Sequence, residues 1–132
     1  MLNKILITSI GGGLGTELVN QIKKTTKFKN IIIVGVDMLK QTTSRYFVDK
    51  FYQVPPPTKK NYISKILKII KEDKINLVIP GSDLEAINLC KKRNHFESKK
   101  CFLASVDLKT LSNFTTKEKT YQSLKKNNLP CA

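Results

Sequence analysis

Three stretches of this sequence carry groups whose types and spacing could do chemistry. The first is Gly11-Gly-Gly-Leu-Gly15, which follows the apolar run Ile5 to Ile10 and precedes a helical pattern. A strand, a glycine turn and a helix in succession leave backbone amides unpaired. Gly11, Gly12 and Gly13 carry no side chain to keep a phosphate or carboxylate away from them. Three adjacent glycines also exceed what one tight turn needs. The second is Asp37, an acid ending the next apolar run, where a nucleotide-binding domain places its ribose acceptor; an aspartate there serves equally well to leave a sheet and begin a loop. The third is Pro80-Gly-Ser-Asp-Leu-Glu85. Ser82 and Glu85 have capping-box spacing, which gives both a structural duty. Asp83 lies between them, is not needed by that cap, and could meet a polar substrate together with Glu85.

Other short patterns carry less. Counted from Gly11, the sixth position is Thr16 and not glycine, so the dinucleotide fingerprint is out of register, and no Gly-Lys-Ser/Thr follows to make a phosphate loop. Tyr121 and Lys125 match the Y-x-x-x-K spacing of short-chain dehydrogenases. Short motifs of that kind recur by chance in a lysine-rich chain, and no serine stands the expected dozen residues upstream. His95 is the one histidine and reads as a surface residue in a polar loop. Cys90, Cys101 and Cys131 are odd in number and far apart, which fits reduced thiols better than a disulfide frame or a zinc site.

The elements that must position these groups follow from periodicity. Leu14, Leu18 and Ile22 with Val19 predict an amphipathic helix. Ile31 to Asp37 predicts a second buried strand, and right-handed crossover makes it a parallel neighbour of the first. A loop with a short helix fills 38–50, and Phe51 to Val54 is a third strand stopped by Pro55, Pro56 and Pro57. Thr58 is the expected cap of a helix with the stripe Tyr62, Ile63, Ile66, Leu67 and Ile70. Asn76 to Pro80 is a fourth strand and Ser82 to Arg93 a helix; Cys101 to Ala104 is a fifth strand and Asp107 to Ser112 a short helix. Thr116 to Asn127 is the last helix, with Thr115 and Glu118 as a second capping pair. Strands alternating with helices call for an α/β fold, a Rossmann-like three-layer parallel sheet of five strands in the order 3-2-1-4-5, with helices on both faces. Ligands bind such sheets where the order reverses, at the carboxyl ends of strands 1 and 4.

Composition narrows the classes further. With 40% hydrophobic residues among 132, the chain suits one domain with a real core. No membrane-spanning run or secretory leader is read, so a cytoplasmic location and no membrane partner are expected. The formal charge of +14 raises the question of nucleic acid. That charge is almost all lysine, spread over helix faces such as Lys65, Lys68 and Lys71, so it reads as a solvating surface and a nucleic-acid partner is not expected.

In order and spacing, several stretches together resemble the domain that precedes the nucleotide-binding lobes of ATP-grasp ligases, notably those like the carbamoyl-phosphate synthase large subunit. They are I-L-I-T-S-I-G-G-G-L-G at the start, I-I-V-G-V-D at 32–37, S-R-Y-F-V-D at 44–49 and F-Y-Q-V-P at 51–55. They continue with I-N-L-V-I-P-G-S-D-L-E at 75–85 and T-K-E-K-T-Y-Q-S-L-K-K-N-N-L-P at 116–130. The family usually begins the last stretch with Asp-Lys and ends it with Gly-Ile-Pro; here those places hold Thr116-Lys117 and Asn128-Leu129-Pro130.

The resemblance implies that residues 1–114 are a pre-ATP-grasp domain, and that 115–132 are a helix and linker leading into an ATP-grasp domain. It implies a parent that joins a small-molecule carboxylate to an amine through an acyl phosphate, with ATP and Mg2+ as cofactors held in the other lobes. No tight cofactor binding and no turnover are expected of these residues alone. Gly11, Gly12, Gly13, Asp37, Gly81, Ser82, Asp83 and Glu85 would line one wall of the substrate cleft. Lys117 matches the lysine that touches ATP. Oligomeric state stays open, a homodimer included. Two other readings stay open: an NAD(P)-binding Rossmann oxidoreductase or dinucleotide sensor, and a non-catalytic basic binding module.

Overall fold

The strands are short, three of the five dominated by Ile, Leu and Val, and such runs stay in register only where both faces of a sheet are covered. In the computed structural model, which describes residues 3–25, 27, 29–98 and 100–131, they do so as β1 (Lys4–Ile7), β2 (Ile32–Asp37), β3 (Lys50–Gln53), β4 (Leu77–Ile79) and β5 (Phe102–Leu103). All pairings are parallel and the order is β3-β2-β1-β4-β5. The expected fold class and the expected reversal between the first and fourth strands are both present.

Side chains alternate across the sheet with a period of two. From β1, Ile5 and Ile7 join Val19 of α1 (Gly13–Lys24), while Leu6 faces the opposite layer of α2 (Tyr62–Asp73), α3 (Asp83–Cys90) and α4 (Arg93–Glu97). That second layer holds Ile66, Ile69, Ile70, Leu89 and Phe96, all fully buried. Each such side chain contributes about 2 kcal/mol by leaving water.

Several local readings shift, each for a physical reason. Leu14, in the first turn of α1, is 66% exposed, and the stripe meets the core from Leu18, Val19 and Ile22 onward. The helix read as Ser82 to Arg93 is two helices: α3 closes at Cys90, and α4 restarts at Arg93 and carries an exposed His95. At the break the Arg93 guanidinium donates to the carbonyl of Leu103, which ends β5, and to those of Ser105 and Val106 beyond it. Thr58 does not cap α2, whose N-cap is Asn61; the chain makes a turn first, with the Lys59 amide on the Pro56 carbonyl. In α6 (Lys117–Lys126) the cap is Thr116, whose hydroxyl accepts from the Lys119 amide, and not Thr115. The remaining helix, α5 (Leu108–Ser112), is capped by Asp107.

Candidate functional site

The two corners picked out by sequence meet where β1 and β4 end side by side. The Thr8 amide donates to the Ile79 carbonyl, and the Gly81 amide donates to Thr8 Oγ1 at 3.1 Å. A Cβ on Gly81 would lie 2.0 Å from the Thr8 carbonyl oxygen, and one on Gly15 would lie 2.3 Å from that of Ser9. Only glycine permits either approach. Between them Ser9 holds φ at 47°, a left-handed conformation that costs a serine about 1 kcal/mol and here aims the chain from strand to glycine bend.

The glycine bend is partly occupied by the chain itself. Asp37 Oδ2 accepts from the Gly11 amide at 2.8 Å, and Oδ1 accepts from the Leu39 amide at 2.9 Å. The Gly12 amide donates to the Ser9 carbonyl. Asp37 therefore straps the bend of β1 to the end of β2, and one amide read as open to an anion already faces a carboxylate.

The other corner rests on a buried polar cluster. Glu85, 2% exposed, accepts from Tyr62 Oη at 2.8 Å, Thr8 Oγ1 at 2.7 Å and Ser82 Oγ at 2.9 Å. The Glu85 amide closes the cap on Ser82 Oγ. Burial, with the Glu85 charge next to it, pushes the Tyr62 phenol well above the ordinary tyrosine range, so it is held as a donor. Three elements, β1, α2 and α3, are thus pinned to one carboxylate.

Between the two corners lies an open cleft of about 1320 Å³. Gly11, Gly12, Asp37, Gly81, Ser82 and Glu85 line it, joined by Ser9. Gly13 and Asp83 do not: Asp83 borders a smaller hollow with Thr116, Lys117 and Tyr121. Sequence reading missed the opposite wall. It is made by Met38, Leu39 and Thr42 of the loop after β2, by Tyr46 on the 3-10 turn Thr43–Phe47, and by Pro55 to Pro57. Asn88 of α3 holds the Pro57 carbonyl at 2.8 Å, fixing that wall. The one usable signal was Tyr46-Phe47 standing apolar in a polar loop. Thr42 Oγ1 is shielded from solvent and has no hydrogen-bond partner among the described residues. Among the described residues no three His, Cys, Asp or Glu side chains gather to hold a metal. Among them also, no helix is long and apolar enough to cross a membrane.

A parallel α/β sheet with its cleft at the β1/β4 reversal defines a Rossmann-like domain. Solved structures share the fold. The biotin carboxylase subunit of a pyruvate carboxylase aligns at TM-score 0.62 and 18% identity, over 98% of this chain and 28% of that one. The biotin carboxylase domain dimer of Hydrogenobacter thermophilus 2-oxoglutarate carboxylase, in complex with MgADP, ADP and bicarbonate, aligns at 0.63 and 17%, over 98% and 28%. The complete pyruvate carboxylase of Rhizobium etli aligns at 0.64 and 14%, over 99% and 13%. The chain spans less than a third of the length of each. No curated protein sequence matches it. The model of the PylC-like N-terminal domain matches residues 5–104, and the chain belongs to that family.

Proposed function

We propose that this chain is the N-terminal domain of an ATP-grasp ligase that joins a carboxylate to an amine, and that its cleft is one wall of the substrate site. The observation that carries the reading is the family match over 5–104 together with the meeting of both corners at one rim. Residues 1–114 form the domain, and 115–132 lead toward the nucleotide-binding lobes. From Ala104 to Cys131 no described residue is buried, which suits a segment whose packing partner lies elsewhere. ATP and Mg2+ belong to those lobes. The MgADP seen in the carboxylase relative supports this, and Lys117, exposed on the hollow that Asp83 also lines, would reach a phosphate from outside the cleft.

The chain's own part is to bind and orient. Gly81 and Ser82 present a rigid corner, and Glu85 fixes it from beneath. Pro55 to Pro57 wall off water, so that a carboxylate held at the open side would meet ATP from the partner lobes in one geometry. Incubating the full-length parent with MgATP, candidate carboxylates and hydroxylamine tests the reading, because hydroxylamine traps an acyl phosphate as a hydroxamate. ATP-dependent hydroxamate supports it. Saturable quenching of NADPH fluorescence by the parent, without hydroxamate, overturns it in favour of the dinucleotide reading.

A further inference from the structure

The lysine of this chain is spread over its helices, but one hollow gathers three of them. At the amino-terminal ends of β4 and β5, on the opposite edge of the sheet from the cleft, lies a recess of about 270 Å³ lined by Ile70, Lys71, Lys74, Ile75, Asn76 and Lys100. That volume falls just under the range of drug-sized sites, which starts at about 300 Å³, and suits a small group. Ile70 and Ile75 are buried, while the three lysines are exposed.

Every polar side chain of the hollow has a donor to offer. Asn76 Oδ1 already accepts from the amides of Asn3 and Lys4, at 3.3 and 3.1 Å, which leaves its Nδ2 group as the end without a partner among the described residues. No carboxylate lines the recess. The acids that follow Lys71, Glu72 and Asp73, are taken by lysines outside it, Lys68 at 3.7 Å and Lys50 at 2.6 Å. Lys71, Lys74 and Lys100 join none of the ion pairs found among the described residues. Three like charges on one recess repel each other, and an anion between them removes that cost.

The backbone adds an independent mark. Lys74 holds φ at 55° and Lys100 at 57°, in the left-handed region that glycine or asparagine adopts at lower cost. Lysines at the end of α2 also answer its helix dipole, which accounts for Lys71 and Lys74 but not for Lys100, past the end of the short α4.

We propose that this hollow seats a small, multiply charged oxyanion, a phosphate or diphosphate group, between the ammonium groups of Lys71, Lys74 and Lys100, with the Asn76 amide as a further donor. The seat is separate from the substrate cleft: it stands at the foot of β4, and Gly81 and Ser82 stand past its head. An occupied seat ties the end of α2 to the start of β5, so the bound chain unfolds at a higher temperature.

The test titrates the 15N-labelled 132-residue chain with sodium pyrophosphate, phosphate and chloride at matched ionic strength and neutral pH. Expected is saturable movement of the Lys74, Ile75, Asn76 and Lys100 amides by pyrophosphate, about threefold or more weaker binding of phosphate, and no such movement with chloride. Lys74→Gly and Lys100→Gly each remove one ammonium and suit the left-handed backbone. Each should weaken pyrophosphate about fivefold and leave the unfolding midpoint of the free chain unchanged or higher. Lys24→Ala removes the same charge from α1, on the other face of the sheet, and should change the affinity less than about 1.5-fold. No saturable movement at the hollow, or a loss in Lys24→Ala equal to that in Lys74→Gly, overturns the proposal. So does tighter binding of a short oligothymidylate than of pyrophosphate, which would assign the lysines to a nucleic-acid backbone. None of these readouts involves the cleft, so the ligase reading stands or falls by its own hydroxamate test.

Discussion

Helix α2 begins and ends in the same chemistry with one part exchanged. At its start Tyr62 donates to the Glu85 carboxylate at 2.8 Å; at its end the Asp73 carboxylate accepts from Tyr52 at 2.7 Å. Asp73 also takes Lys50 Nζ at 2.6 Å, whereas Glu85 has only hydroxyls around its carboxylate. The Asp73 end is a closed ion pair at the amino-terminal edge of β3, complete within the chain. The Glu85 end faces the cleft and lacks a cation. The fold thus places a lysine against the carboxylate at one end of α2 and only hydroxyl donors against the α3 carboxylate that meets its other end. Both ends also hold their groups away from ordinary titration. Burial raises Asp73, but its bonds from Lys50 and Tyr52 outweigh that and hold it below the usual aspartate range.

The comparison breaks most completely at Gly81, which hangs the Glu85 end on β1. Gly81→Ala puts a Cβ 2.0 Å from the Thr8 carbonyl, so backbone must move. The expected loss is about 3 kcal/mol in urea unfolding. Gly13→Ala, whose Cβ would meet nothing within 4 Å, should stay within about 0.5 kcal/mol of the parent chain. Equal losses at both positions would remove the close approach as the reason for glycine here.

A sharper cut compares the two carboxylates directly. Glu85→Ala strands the fully buried hydroxyls of Tyr62 and Thr8 together with that of Ser82, an expected cost of about 3 kcal/mol. Asp73→Asn removes one pair whose lysine side chain is half exposed, for which screening leaves about 0.5 kcal/mol. If Asp73→Asn proves the costlier of the two in thermal or urea unfolding, the Glu85 cluster is not what pins the cleft corner.

Strand order, layers and the adjacency of both corners were legible because apolar runs, glycines and right-handed crossovers act through local pattern. Ser82 and Glu85 were read as a cap, and they are one. What pattern did not carry is partner choice. Nothing local in Asp37 says that its oxygens take the amides of Gly11 and Leu39, and nothing in Tyr62, read as a core stripe residue, says that its hydroxyl finds Glu85 23 positions away. The Thr58 and Thr115 caps were misread for a related reason. A threonine caps only where the chain enters the helix at the right dihedral, and a turn at 56–59 and a hydrogen bond from Thr115 to the Ser112 carbonyl settle that instead. Asp83, which the cap does not use, borders the hollow that Lys117 also lines and does not line the cleft.

The smallest expected effect separates the two ends of α2 by pH. Asp73 has a folded pKa below its unfolded one, so its contribution is present above about pH 4 and is lost as pH falls through the folded value. Tyr62 is the reverse: its folded pKa is raised, so its contribution is full below about pH 10 and is lost as pH rises beyond that. Asp73→Asn should therefore flatten the acid limb of a plot of unfolding midpoint against pH and, by releasing Lys50 and Tyr52, part of the alkaline one, whereas Tyr62→Phe should touch only the alkaline limb. Burial pushes the Cys101 thiol up to about 11, and Tyr52 and Lys50 are raised as well, so part of the alkaline limb survives in Tyr62→Phe and shrinks further when Cys101→Ala is added. An acid limb that persists undiminished in Asp73→Asn would assign it to Asp49 and Asp107, whose carboxyls are also held below the usual range, and would leave the Lys50 pair without a measurable share.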